Sequence, residues 1–225
     1  MAEGAAGFAF AGAKCVVSYS GGKDSVFALY TAMKAGIKPI ELITTYNLDA
    51  KRTWFHGLTV KRLDSVSASL GIPATLVKTP GDLYAENMEL ALAKAKAKGA
   101  EVCVFGDIDI EGHLEWCSTR CQNVGLIPYF PLWKWERRDV VYGFIEAGFS
   151  TVVTIVDTER LSEAFLGQVL TKEIAEAIAQ AGADICGEGG EYHSFTFDGP
   201  IFSARVAWEN KGVVIQGKYA VMQID

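Results

Sequence analysis

Two short stretches of this chain hold most of the side chains that could do chemistry. The first reads Ser18-Tyr19-Ser20-Gly21-Gly22-Lys23-Asp24-Ser25. Before it, Cys15, Val16 and Val17 form an apolar, β-branched run that suits a buried strand. After it, Val26, Leu29, Tyr30 and Met33 recur at helical spacing, with Asp24 or Ser25 placed to cap, Gly36 at the far end and Pro39 blocking continuation. A strand, a glycine turn and a helix start make an anion site. The first helical N–H groups lack internal partners, and the dipole is positive there. Two glycines let an anion approach the backbone, Ser20 and Ser25 add hydroxyls, and Lys23 adds charge. Ser18, Ser20, Gly21, Gly22, Lys23, Asp24 and Ser25 are therefore the candidate phosphate-binding residues. The spacing is not that of a G-x-x-x-x-G-K-[ST] loop, since Val17 stands where the first glycine would be and Asp24 follows the lysine. It is not G-x-G-x-x-G either.

The second stretch, Asp184 to Pro200, holds Gly187-Glu188-Gly189-Gly190-Glu191-Tyr192-His193-Ser194. Two acids, an imidazole and a hydroxyl within seven residues exceed what a glycine turn between a helix and a hairpin needs. Glu188, Glu191 and His193 are candidate catalytic groups, with Lys23 and Asp24 from the first stretch. Gly189, Gly190, Tyr192 and Ser194 are candidate substrate contacts. An imidazole with a pKa near neutrality could serve as a general base.

These stretches need a scaffold. Strands are expected at Pro39–Tyr46, Ala74–Lys78, Glu101–Asp107 and, broken by prolines, Leu126–Trp133. Helices are expected at Leu58–Leu70 (Val60, Leu63, Val66 and Leu70 inward), Tyr84–Lys98 and Glu111–Val124. Such alternation implies parallel βαβ units with right-handed crossovers. Ligands then sit at the carboxyl ends of the strands where the winding reverses, so Gly106 and Asp107 should face the glycine turn. Thr44, Thr45 and Tyr46 could line a base and ribose. Asp107, and Asp24, could hold Mg²⁺; Asp107 equally fits a backbone turn beside the phosphates. Further on, a helix is expected over Glu136–Ala147, a strand over Thr151–Val156, a short docking helix over Leu161–Leu170 and a helix capped by Thr171 to Ala181. A strand starting at Phe195–Phe197 is expected to pair with Val213–Ile215 and Tyr219–Ile224. The reading divides the chain into a loose tail over 1–13, a phosphate-binding α/β domain over 14–135 and a smaller substrate domain over 136–225.

The chain has 225 residues, half of them hydrophobic, and a net charge of −6. That balance argues against a broad nucleic-acid partner. Five cysteines at irregular spacing fit a reducing, cytoplasmic setting. His113, Cys117 and Cys121 could share a helix face, but no second ligand pair accompanies them, so buried thiols are expected rather than a metal centre. The start of the chain lacks the basic region of a signal peptide, and no apolar run is long enough to span a membrane.

The S-G-G-K-D-S loop after a strand resembles the pyrophosphate loop of the PP-loop ATP pyrophosphatases. Joined to G-E-G-G-E-Y and to Phe195, Asp198, Pro200 and Phe202 in the order F-x-x-D-x-P-x-F, the chain resembles the diphthine–ammonia ligase family of those enzymes from Cys15 to at least Phe202. That resemblance implies a HUP-type, Rossmann-like parallel sheet with helices on both faces, followed by an α+β substrate domain. It implies ATP with Mg²⁺, adenylation of a carboxylate with release of pyrophosphate, and transfer of ammonia. The acceptor would be a diphthine-bearing protein or, in a bacterial cobalamin-salvage branch, a small acid such as a corrinoid precursor. Ligases of diphthine typically read Glu-Tyr-Glu-Thr where this chain has Glu191-Tyr192-His193-Ser194, which bears on the substrate more than on the chemistry. The rivals are a universal-stress-type ATP or AMP sensor and another PP-loop chemistry such as tRNA modification. Apolar strands late in the chain could support a homodimer.

Overall fold

A computed structural model describes residues 10–48, 52–53 and 56–224. In chain order the elements are β1 (Lys14–Ser18), α1 (Lys23–Lys34), β2 (Lys38–Asn47), β3 (Arg52–Thr53), α2 (Val60–Leu70), β4 (Ala74–Thr79), α3 (Tyr84–Ala97), β5 (Val102–Val104), α4 (Glu111–Val124) and β6 (Ile127–Tyr129). There follow α5 (Arg137–Glu146), β7 (Ser150–Asp157), α6 (Lys172–Gln180), β8 (Tyr192–Asp198), β9 (Asn210–Gln216) and β10 (Tyr219–Ile224). They form two compact units: residues 1–20, 24–54 and 71–135, and residues 21–23, 55–70 and 136–225.

The first unit is built on a parallel sheet in the order β4-β2-β1-β5-β6, with β3 turning back antiparallel on the end of β2. The chain winds outward from β1 through β2 to β4, then returns to the other side of β1 for β5 and β6. The winding therefore reverses between β1 and β5. Right-handed crossovers place α1 on one face of the sheet and α3 and α4 on the other. Alternation along the strands supplies both faces. Val16, Ile43, Val77 and Cys103 pack against Met88, Leu92 and Ala95 of α3 and Cys117 and Cys121 of α4. Cys15, Val17 and Leu42, also fully buried, are left for the α1 side.

The second unit is an antiparallel sheet in the order β8-β7-β10-β9. β7 is buried along nearly its whole length, as a central strand rich in valine should be. Thr171 caps α6, its hydroxyl accepting from the Ile174 N–H at 3.3 Å. α2 is held to the segment before β9: the Ser69 carbonyl accepts from the Ser203 N–H at 2.8 Å and from its hydroxyl at 2.7 Å.

Several expectations change. Met33 and Val60 are solvent-exposed, because α1 turns Phe27, Ala28 and Ala32 inward and α2 turns Leu63 and Val66 inward; Leu90 of α3 is exposed too. Lys23 already lies in α1, so Asp24 and Ser25 occupy its first turn rather than its cap. Leu161–Leu170 forms only a 3₁₀ turn at Glu163–Phe165. The partner of β8 is β7, and β7 separates β8 from β10 and β9. Local pattern encodes a strand but not which strand will lie beside it. Of the proposed tail, residues 1–9 lie outside the described residues, whereas Gly12 donates to the Gly36 carbonyl at 2.9 Å. Among the described residues no helix is long and apolar enough to cross a membrane.

Candidate active site

In the first unit β1 ends at the point where the winding reverses. The Tyr19 N–H is anchored to the Ile43 carbonyl at 2.8 Å. Ser25 closes the turn, its hydroxyl oxygen accepting from the Ser20 N–H at 3.3 Å and lying 3.0 Å from the Ser20 hydroxyl. Asp24 in the first helical turn opposes the positive end of the dipole. Gly106, just beyond β5, lies directly against this turn. A Cβ there would fall 2.8 Å from the Asp24 carbonyl carbon and 2.8 Å from the Ser25 nitrogen. Only glycine lets the two chain segments meet so closely.

Asp107 follows, and one carboxylate oxygen lies 3.1 Å from Nδ1 of His113 while the other is 3.9 Å from the Cys117 thiol. The helix-face trio of the sequence thus divides. Cys117 and Cys121 are buried free thiols, and all five cysteines are free and buried, while His113 orients Asp107. Thr44 is not available to a nucleotide through its side chain. It is buried, and its hydroxyl donates to the Tyr19 carbonyl at 2.7 Å. The Thr45 hydroxyl lies 3.2 Å from that of Tyr84, and Tyr46 pairs with Thr53 of β3.

In the second unit, residues 21–23 join the second motif. The Gly21 carbonyl accepts from the Thr196 N–H at 2.9 Å, and the Lys23 N–H donates to the Ser194 hydroxyl at 3.3 Å. Gly21 has φ +85°, a conformation that favours glycine. The Lys23 side chain is buried, its ammonium donating to the Cys186 carbonyl and lying 5.3 Å from the centre of the Tyr192 ring. The glycine-rich loop is tied by Asp184, which sequence reasoning did not single out. Its carboxylate accepts from the Cys186 N–H at 3.1 Å and the Glu188 N–H at 2.8 Å, and pairs with Arg137 at 2.7 Å. That is an Asx-type turn. Gly187 and Gly190 have positive φ, and Tyr192 closes the loop by donating its hydroxyl to the Ile185 carbonyl at 2.8 Å.

Glu191 is occupied. Its buried carboxylate is ion-paired with Arg160, whose guanidinium also donates to the Gly189 carbonyl. A side chain on Gly189 would collide with that pair. His193 departs from its expected chemistry. Burial, with the Lys23 charge, lowers its pKa to about 4, so it is neutral at pH 7 and a far weaker base than a free imidazole. His56, also missed in the sequence because no motif surrounds it, stands edge-on to His193 with ring centres 5.0 Å apart. Its Nδ1 lies 2.8 Å from the Ser194 carbonyl oxygen. Burial, then the His193 ring and the Lys23 charge, hold His56 well below the usual range. A Cβ on Gly22 would overlap the His56 ring, so that glycine serves packing as well as anion approach.

Residues 13–128 match the family model described as diphthamide synthase N-terminal domain, and residues 136–224 match that described as diphthamide synthase C-terminal domain. The chain belongs to the diphthamide synthase family. Among its curated relatives are a diphthine–ammonia ligase of Homo sapiens, 28% identical over 138 residues covering 60% of this chain and 50% of that protein, and one of Danio rerio, 24% identical over 220 residues covering 87% and 86%. The chain spans about half the length of the human, mouse, bovine and rat relatives it matches. A solved structure from Methanocaldococcus jannaschii, described as a predicted subunit of tRNA methyltransferase, aligns at 14% identity with a TM-score of 0.45, over 86% of this chain and all of that one. Asp24, Ser25 and Gly106 come together in one unit; Lys23, Tyr192, His193 and Ser194 come together in the other.

Proposed function

We propose that this protein is an ATP-dependent, AMP-forming carboxylate–ammonia ligase. The observation that carries the reading is the glycine turn itself. Gly21 has φ +85° and Gly106 abuts the first turn of α1, the strand, glycine turn and helix start from which anion sites are built. Membership of a family whose named relatives are ligases supports it further.

In this reading residues 14–135 bind ATP and residues 136–225 bind the acceptor. Ser20, Gly21, Gly22 and Ser25 hold the departing pyrophosphate, stabilising charge through preorganised donors, a contribution of about 3–4 kcal/mol per well-placed donor. Ser18 and the strand ends at Thr45 and Tyr46 flank the nucleoside. Asp24 and Asp107 offer hard carboxylate oxygens of the kind Mg²⁺ prefers, and when bound that ion would neutralise phosphate charge. The acceptor carboxylate oxygen attacks the α-phosphorus, the α–β bridging bond breaks, and pyrophosphate leaves. Ammonia then attacks the acyl carbon, the acyl–oxygen bond to AMP breaks and AMP departs, and the nitrogen loses a proton to water to give the amide. Positioning the two reactants at one phosphorus is the larger effect.

Glu188, Gly189, Gly190, Tyr192 and Ser194 present the acceptor. Neutral His193 accepts a hydrogen bond from incoming ammonia and orients it; the same burial and Lys23 charge that keep the imidazole neutral disfavour ammonium beside it. Glu191 works through Arg160 to hold the loop, and Lys23 fixes Cys186 and Tyr192. A diphthine-bearing protein is the first acceptor to test, and a small corrinoid-type acid the second. A cytoplasmic setting fits five free buried thiols. Homodimerisation would use the edge strand β9, where Val213, Val214 and Ile215 are exposed.

The test is AMP and pyrophosphate release measured with each acceptor, with and without ammonium. Release that needs both acceptor and ammonium, and is lost in Asp24→Ala, is expected. ATP binding with no pyrophosphate under any condition would support a nucleotide sensor instead.

A further inference from the structure

We propose a second ligand site in the C-terminal unit, apart from the residues assigned to the reaction: a cavity that takes a small molecule bearing a phosphate or carboxylate group. The cavity has a volume of about 650 Å³ and lies between α2 and the segment leading into β9. That volume is in the range of small-molecule sites.

Arg62 decides its chemistry. It lines the cavity, yet it is only 5% exposed. One of its guanidinium nitrogens donates to the Ala207 carbonyl, and its plane lies over Phe195, 5.8 Å from the ring centre. No carboxylate pairs with it among the described residues, and its Nε has no hydrogen-bond partner. Buried charges are ordinarily paired, because an uncompensated one forfeits its hydration. Arg205 adds a second guanidinium at the cavity wall, held over the Phe197 ring at 4.7 Å. Lys61 and Lys211 also line it, against a single lining carboxylate, Glu209, which is paired with Lys211. The protein as a whole is acidic, at −6, so this local excess of cations is not the ordinary surface. The Trp208 ring offers a flat apolar wall beside it. Two planar guanidinium groups in the lining and an indole face together match an oxyanion carried on a compact organic body.

The site is read by the Trp208 indole N–H in a nitrogen-edited NMR titration of the full chain, assigned with Trp208→Phe. The probes are inorganic phosphate and citrate, each at constant ionic strength against sodium chloride. A saturable shift with at least one probe is expected, and which probe gives it separates phosphate from carboxylate. Affinity should fall at least tenfold in Arg205→Gln and in Lys61→Gln, which alter the cavity wall. Arg62→Lys, which keeps the charge but removes the Nε donor, should weaken binding further. Because Arg62 also ties down Ala207, the two wall variants carry the test if that protein fails to fold. A shift that chloride reproduces, no saturable shift with either probe, or equal affinity in Arg205→Gln and Lys61→Gln would overturn the proposal.

Discussion

Replacing Gly106 with alanine should damage the glycine turn without touching any ligand-bearing side chain. The added methyl falls 2.8 Å from the Asp24 carbonyl carbon, 2.8 Å from the Ser25 nitrogen and 3.0 Å from the Asp24 oxygen. Carbon contacts settle near 3.5–4.0 Å, so relief needs roughly 0.7 Å of separation between the end of β5 and the first turn of α1. All three opposing atoms are backbone, so no rotamer can yield. Overpacking of this kind costs about 1–3 kcal/mol. At about 2–4 °C per kcal/mol for a chain of this size, Tm should drop by roughly 2–12 °C. The catalytic loss should be larger, because a misplacement approaching 1 Å at a positioning element costs about 100-fold. Differential scanning fluorimetry and a coupled pyrophosphate assay measure the two. Gly112→Ala is the control: it lies in α4 with nothing within 4 Å of the added Cβ, so stability should hold or rise slightly. Wild-type pyrophosphate release together with an unchanged Tm in Gly106→Ala would refute the close approach on which the phosphate reading rests.

Three further outcomes are expected. His193 has its folded pKa lowered to about 4 from an ordinary value near 6.5. Its contribution to stability is therefore present above about pH 6.5 and is lost as pH falls toward 4, since the unfolded imidazole takes up its proton first. Urea midpoints should decline over that window, and His193→Gln should flatten the decline; an equally steep curve in the variant would contradict the buried, neutral ring. Asp184→Ala removes the acceptor for two loop N–H groups and the partner of Arg137. It should spare ATP binding by calorimetry while cutting amide formation at least tenfold, and intact transfer would mean the loop keeps its shape without that turn. Arg160→Gln leaves the Glu191 carboxylate, 3% exposed, without its cation. Breaking a buried pair costs about 3–5 kcal/mol, discounted here because Arg160 itself is 44% exposed. A Tm loss of several degrees, with partial recovery in Arg160→Gln/Glu191→Gln, is the expected pattern.

The sequence alone determined the alternation that makes the α/β unit, the glycine turn that starts α1, and the cap at Thr171. Each depends on residues a few positions apart, whose conformational preferences and spacing act before any distant contact forms. The second motif was legible as a candidate site for the same reason, since its acids, glycines and imidazole are neighbours in the chain. Tertiary structure alone decided what those groups do to one another. It set β7 between β8 and β10, turned the Lys23 ammonium onto the Cys186 carbonyl, and gave Glu191 a partner at Arg160, 31 residues away. It also brought His56 onto His193 and half-buried both rings beside the Lys23 charge, which moved an imidazole expected near neutrality to about 4. Burial and charge proximity depend on which distant segments come together, and a pKa follows its surroundings rather than its residue type.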